Sequence, residues 1–116
     1  MGNELSSLDN ELLNGYVQSL GQDMVKKMLL LYRQQSLIYL ADIEAALTSD
    51  NAELWQDHCH KMKGAAGSVG LKSLHARLVI MEKSVDGITK KTQQLAELHN
   101  HNNQAIADFN AWLESF

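Results

Sequence analysis

His60 stands inside the stretch Asp57-His58-Cys59-His60-Lys61-Met62-Lys63-Gly64-Ala65-Ala66-Gly67-Ser68-Val69-Gly70-Leu71. An imidazole can serve as a base, a metal ligand or a nucleophile, and its neighbours decide which. At the helical advance of about 100° per residue, Trp55, Cys59, Met62, Ala66 and Val69 share a sector about 80° wide. That sector is the expected buried stripe, and His60 lies about 140° from its middle, facing solvent. Gly64 follows His60 by one turn and Gly67 by two. Each glycine inside a helix costs about 1 kcal/mol relative to alanine, so stability alone does not justify the pair. Two readings remain open. Small residues permit close packing of two helices, or they clear side chains from around the imidazole so that another protein can reach it. Lys63, three residues on, can set an ammonium beside whatever His60 carries, which makes it a candidate phosphate partner.

The other polar residues here have plainer expectations. His58 falls on the opposite flank of the stripe, about 200° from His60, so the two cannot chelate one metal from the same helix. It is expected to be partly buried and structural. Asp57 can hydrogen-bond the His60 imidazole or remain an exposed carboxylate. Gln56, one turn before His60, is a neighbour of the site by geometry. Cys59 belongs to the buried stripe and is read as an inert thiol. His75, His99 and His101 are read as solvated, and no metal site is expected. No Gly-x-x-x-x-Gly-Lys-Ser/Thr loop occurs, so ATP alone is not expected to label the chain.

These residues need a rigid helix, and the composition favours one. The chain has 116 residues and no proline. Average usage of roughly 5% would give about six, and all-β folds place proline in turns and at edges. Its absence points to helices joined by short connections. Asp9 to Leu20 reads as a short helix, and Gln22 to about Thr48 as a long one. A third runs from about Ala52 to Val69, with Ser49-Asp50-Asn51 supplying turn and N-cap chemistry before it and Gly70 where a C-terminal cap would be. A fourth carries Leu71, Leu74, Leu78, Met81 and Val85 and stops at Gly87. The last runs from about Thr89 to Trp112, with Asn102 an unexplained polar break in its apolar stripe. The expected fold is all-α, an antiparallel four-helix bundle with an additional short N-terminal helix. Residues 1–8 form a polar lead-in and residues 9–116 a single domain. A net charge of -4 without a Lys/Arg cluster argues against nucleic acid or direct membrane contact. One cysteine points to a reducing compartment.

On these residues the chain resembles the histidine-containing phosphotransfer (HPt) domains of bacterial phosphorelays. His60-Lys61-Met62-Lys63-Gly64 matches the family's His-x-x-Lys-Gly core, with an apolar residue before the lysine. Cys59 fills the place of the small residue before the histidine, and Ala65, Ala66, Gly67, Ser68 and Gly70 continue the match. The run from Gly64 to Leu71 looks most like HPt domains at the C-terminus of tripartite, respiration-linked hybrid sensor kinases. The resemblance implies that His60 is the phosphoacceptor, that Lys63 screens the phosphoryl charge and that Gly64 keeps the approach open. Gln56 and Gly67 are further neighbours. Glu82, on the fourth helix, occupies a place where the family often has a polar residue near the histidine. The implied partners are receiver domains of a hybrid sensor kinase and of a response regulator. The chain would bind no cofactor, Mg²⁺ would reside on the receiver, and the domain would act as a cytoplasmic monomer, as part of an inner-membrane sensor histidine kinase if it belongs to one. The competing expectation is a non-catalytic helical module that docks a partner through its small-residue face.

Overall fold

The structure, a computed structural model, describes residues 7–116, so most of the expected lead-in over residues 1–8 lies outside the described residues. Five helices follow: α1 (Asn10–Leu20), α2 (Gln22–Thr48), α3 (Ala52–Ser68), α4 (Lys72–Glu82) and α5 (Ile88–Glu114). No strand occurs among the described residues. Helices α2 to α5 form the bundle: α3 packs against α2 and α4, and α5 closes the ring against α4 and α2. Short connections make sequential neighbours antiparallel. At 1.5 Å per residue, α2 and α5 are each about 40 Å long and set the long dimension, which is 44 Å.

Local chemistry sets the ends. Asp9 caps α1 by accepting from the Leu12 amide at 3.1 Å, and Asn51 caps α3 by accepting from the Leu54 amide at 3.0 Å. At the C-terminus of α3 the Gly70 amide donates to the Gly67 carbonyl and the Leu71 amide to the Ala66 carbonyl. That is a Schellman cap, and Gly70 takes the left-handed conformation it needs, with φ 77°. A side chain at Gly70 would also meet Leu13 of α1, 2.9 Å from the position of a Cβ. The Asp9 amide donates to the Gly70 carbonyl, and the Tyr16 hydroxyl to the Ser68 carbonyl. The short leading helix therefore covers the α3–α4 corner.

The fourth helix is shorter than its apolar spacing predicts. It ends at Glu82, and Val85, expected on its inner face, is 97% exposed. Beyond the helix end, Ser84 Oγ donates to Asp86 and accepts from its backbone amide, a local alternative to another helical turn. At the same end, the buried Trp55 indole of α3 donates to the Met81 carbonyl at 2.8 Å. The Lys91 ammonium of α5 lies 5.1 Å from the centre of the Trp55 ring, a cation–π contact. One tryptophan thus ties three helices together.

Asn102 now has an explanation. It is buried, its Oδ1 accepts from the Tyr32 hydroxyl at 2.8 Å, and its amide donates to Ser36 Oγ at 3.1 Å. The Ser36 hydroxyl in turn donates to the Arg33 carbonyl. The polar break in α5 answers a polar pair on α2, and burial pushes the Tyr32 hydroxyl pKa well up. His101 departs from its expected solvation: it is half-buried, its Nδ1 accepts from Arg77 Nε at 2.7 Å, and its Nε2 meets Ser73 Oγ at 2.9 Å. Because Arg77 only donates, the proton of a neutral His101 sits on Nε2. Burial, aided by Arg77, lowers its pKa. Asn102→Ala should cost about 1–3 kcal/mol by leaving two buried hydroxyls short of a partner. Denaturant unfolding measures this, and an unchanged midpoint would contradict the buried network.

Candidate functional site

His60 lies on α3, and its side chain is 65% exposed, as the wheel predicts. Cys59, Met62 and Ala66 are fully buried on the opposite side of the helix. Burial pushes the Cys59 thiol up to about 12, with the Glu82 carboxylate adding to the effect, so it is no thiolate at neutral pH.

The group that meets the imidazole comes from α4. His60 Nδ1 lies 3.0 Å from Glu82 Oε2, and Lys63 Nζ lies 2.6 Å from Glu82 Oε1. One carboxylate therefore holds both polar side chains of the motif. The hydrogen bond from Lys63 is the main cause that keeps the Glu82 pKa below its ordinary value. Burial opposes it, and the His60 bond reinforces it. A carboxylate accepts only, so the shared hydrogen of the neutral ring sits on Nδ1 and Nε2 keeps its lone pair toward solvent. The local packing explains why Glu82 arrives there: Met81, its neighbour, is pinned to α3 through Trp55.

The two glycines separate. A Cβ built at Gly64 meets nothing within 4 Å, so the surface one turn beyond His60 is open. A Cβ at Gly67 would sit 2.9 Å from Cδ2 of His75, which leans on it from α4. Gly67 therefore serves close helix packing, and the access reading does not hold there. His75, expected in solvent, is half-buried for the same reason. Gln56 and Asp57 are exposed on α3, and the imidazole bonds Glu82 instead of Asp57. His58 is partly buried as expected, 4.0 Å from Asp42, and His99 is exposed. Among the described residues no three His, Cys, Asp or Glu side chains converge as a metal site.

The bundle thus presents His60 as an exposed imidazole on α3, anchored from α4. The Hpt domain family model matches residues 27–112, and the chain belongs to that family. Its relatives include the aerobic respiration control sensor protein ArcB of Escherichia coli (strain K12) and of Shigella flexneri. Each is 33% identical over 67 residues, covering 58% of this chain and 9% of the relative, so the chain matches only a small part of their length. The solved histidine-containing phosphotransfer domain of ArcB from Escherichia coli superimposes with a TM-score of 0.84. It shares 22% identity and covers 99% of this chain and 98% of that one, which establishes the common fold. The chain is a phosphotransfer module, of a family that carries phosphoryl groups and interacts with receiver domains in phosphorelays.

The glycines provide a direct check. Gly64→Ala should raise stability by about 1 kcal/mol, the helix propensity difference, because its new methyl meets no neighbour. Gly67→Ala must displace the His75 ring and should gain less or lose stability. Equal gains in denaturant unfolding would overturn the distinction.

Proposed function

We propose that this chain reversibly accepts a phosphoryl group on His60 from an aspartyl phosphate of a receiver domain and passes it to a response regulator. The observation that carries the reading is the exposed His60 whose Nδ1 is held by Glu82, leaving Nε2 as the free nucleophile. The Nε2 lone pair attacks phosphorus, the P–O bond to the aspartyl carboxylate breaks, and its electron pair returns to that carboxylate. Phosphoryl transfer depends on in-line positioning and on stabilising charge spread over the phosphoryl oxygens. Lys63 supplies an ammonium one turn from the nucleophile, and Gly64 leaves room for the donor. Mg²⁺ and acidic side chains would belong to the receiver, which accounts for a carrier with no catalytic cluster of its own.

The surface beside the site supports a protein donor. On α2, Leu31 and Ile38 are 64% and 54% exposed. With Met28, Ala65 and Val69 they line an open groove of about 490 Å³ next to the glycine face of α3. Aliphatic exposure of this extent on a small domain suits transient docking of another protein. Among the described residues no helix is long and apolar enough to cross a membrane. The wider setting we infer is a monomeric cytoplasmic module, and a parent hybrid sensor with histidine kinase activity is the setting its relatives suggest.

Incubation with a phosphorylated receiver should label the protein with an acid-labile, base-stable phosphoryl group. His60→Gln should abolish the label, whereas His58→Gln should retain it; the reverse pattern would refute the assignment. Gly64→Glu should keep its helical circular dichroism yet slow transfer at least tenfold by closing the approach. Absence of any label on a folded protein would favour a docking module without chemistry.

A further inference from the structure

Glu82 does more than orient the imidazole. A neutral ring that attacks through Nε2 gains a positive charge as the N–P bond forms, and its Nδ1–H becomes the acidic proton. Whether that proton stays decides the next step. If it stays, the P–N bond can break with its electron pair returning to Nε2, and a neutral imidazole leaves. If it is lost to water, the same cleavage must expel an imidazolate or wait for a proton to return.

We infer that Glu82 is a positioning residue that keeps the Nδ1 proton on the phosphorylated His60 ring, so that phosphoryl groups enter and leave without a proton exchanging with solvent. This rests on the reading of His60 as the phosphoacceptor. The geometry is already in place: Oε2 accepts at 3.0 Å from Nδ1, on the side of the ring away from the incoming phosphorus. Glu82 is 16% exposed, and the Lys63 bond favours its anionic form, so the acceptor is charged when the ring becomes cationic. An anion within 4–6 Å favours a cation, and a hydrogen bond to the charged form adds to this. Lys63 acts in the opposite sense. Its ammonium disfavours the cationic ring directly and draws on the same carboxylate at Oε1. When the phosphoryl group arrives, it competes with Glu82 for Lys63, which releases more of the carboxylate to the ring. The charged neighbours on the ring's two flanking elements are Lys63 with the more distant exposed Asp57 and Lys61 on α3, and Glu82 followed by Lys83 on α4. Among the described residues, the hydrogen bond to the imidazole comes from Glu82.

Phosphorylation of the whole chain with phosphoramidate, a small-molecule phosphoryl donor, needs no knowledge of the natural receiver. Mass spectrometry locates the label, and ³¹P and ¹⁵N nuclear magnetic resonance then follow the phosphorylated ring across pH. Relative to the native protein, Glu82→Gln should lower the titration midpoint of that ring by about one pH unit or more. Lys63→Gln should raise it. Transfer from the phosphorylated protein to a receiver should fall about tenfold per pH unit above the midpoint, so the Glu82→Gln profile should decline at lower pH than the native one. Deprotonation of the ring removes the good leaving group, so activity is present below the midpoint and lost above it. Unchanged midpoints and pH profiles, or shifts of both variants in the same direction, would overturn the inference while leaving His60 as acceptor. A label found on another residue, or none, would instead defeat the reading on which it rests.

Discussion

The seam between α3 and α4 is the constraint on which the site depends. The Trp55 indole donates to the Met81 carbonyl, and Gly67 admits the ring of His75, so the two helices are held together at two separate levels. The corner between them is a Schellman cap that only a residue tolerant of positive φ can complete. With both ends of the seam set, the last residue of α4 has one place to go, and its carboxylate falls between His60 and Lys63. A shift of one residue along α4 would turn Glu82 by about 100° and leave the imidazole unanchored.

This arrangement reconciles two opposed requirements. A nucleophile that serves large protein partners must stand in solvent, yet an exposed side chain is free to rotate and wastes entropy on every encounter. Holding the ring by Nδ1 from below restricts the rotation while Nε2 stays accessible. The energetic worth of the His60–Glu82–Lys63 cluster for folding is secondary, because partly exposed ion pairs contribute little to stability. Its value lies in geometry and in charge. A carboxylate already occupied by an ammonium remains ionised, and in the proposed reaction an ammonium held near His60 would be close to where phosphoryl charge develops.

The remaining polar interior serves the scaffold. Tyr32, Ser36 and Asn102 join α2 to α5 by a closed chain of hydrogen bonds, and Ser73, Arg77 and His101 join α4 to α5. Buried polar groups of this kind favour one register of the helices over its neighbours, since a slip would orphan several donors at once. The apolar face of α2 is different. Leu31 and Ile38 stay exposed while Leu29, Tyr32 and Leu40 turn the buried side of the same helix to the core.

Much was legible in the chain itself. Apolar spacing and the absence of proline determined five helices, since periodicity and backbone restrictions are local properties, and the same wheel placed His60 outside and Cys59 inside. The motif around His60 also carried its family resemblance without any coordinates. Spacing misjudged Val85, because a terminal turn held by Ser84 and Asp86 competes with helix on equal local terms. It left Asn102 unexplained and treated His75 and His101 as solvated, because their partners lie 8 to 70 positions away and helical spacing relates only residues on one helix. The two glycines look alike in sequence and were separable only when α4 was set against α3. Local chemistry thus decided which imidazole of the motif stands in solvent. Tertiary packing decided which nitrogen of it faces solvent, because that depends on a carboxylate delivered from another helix.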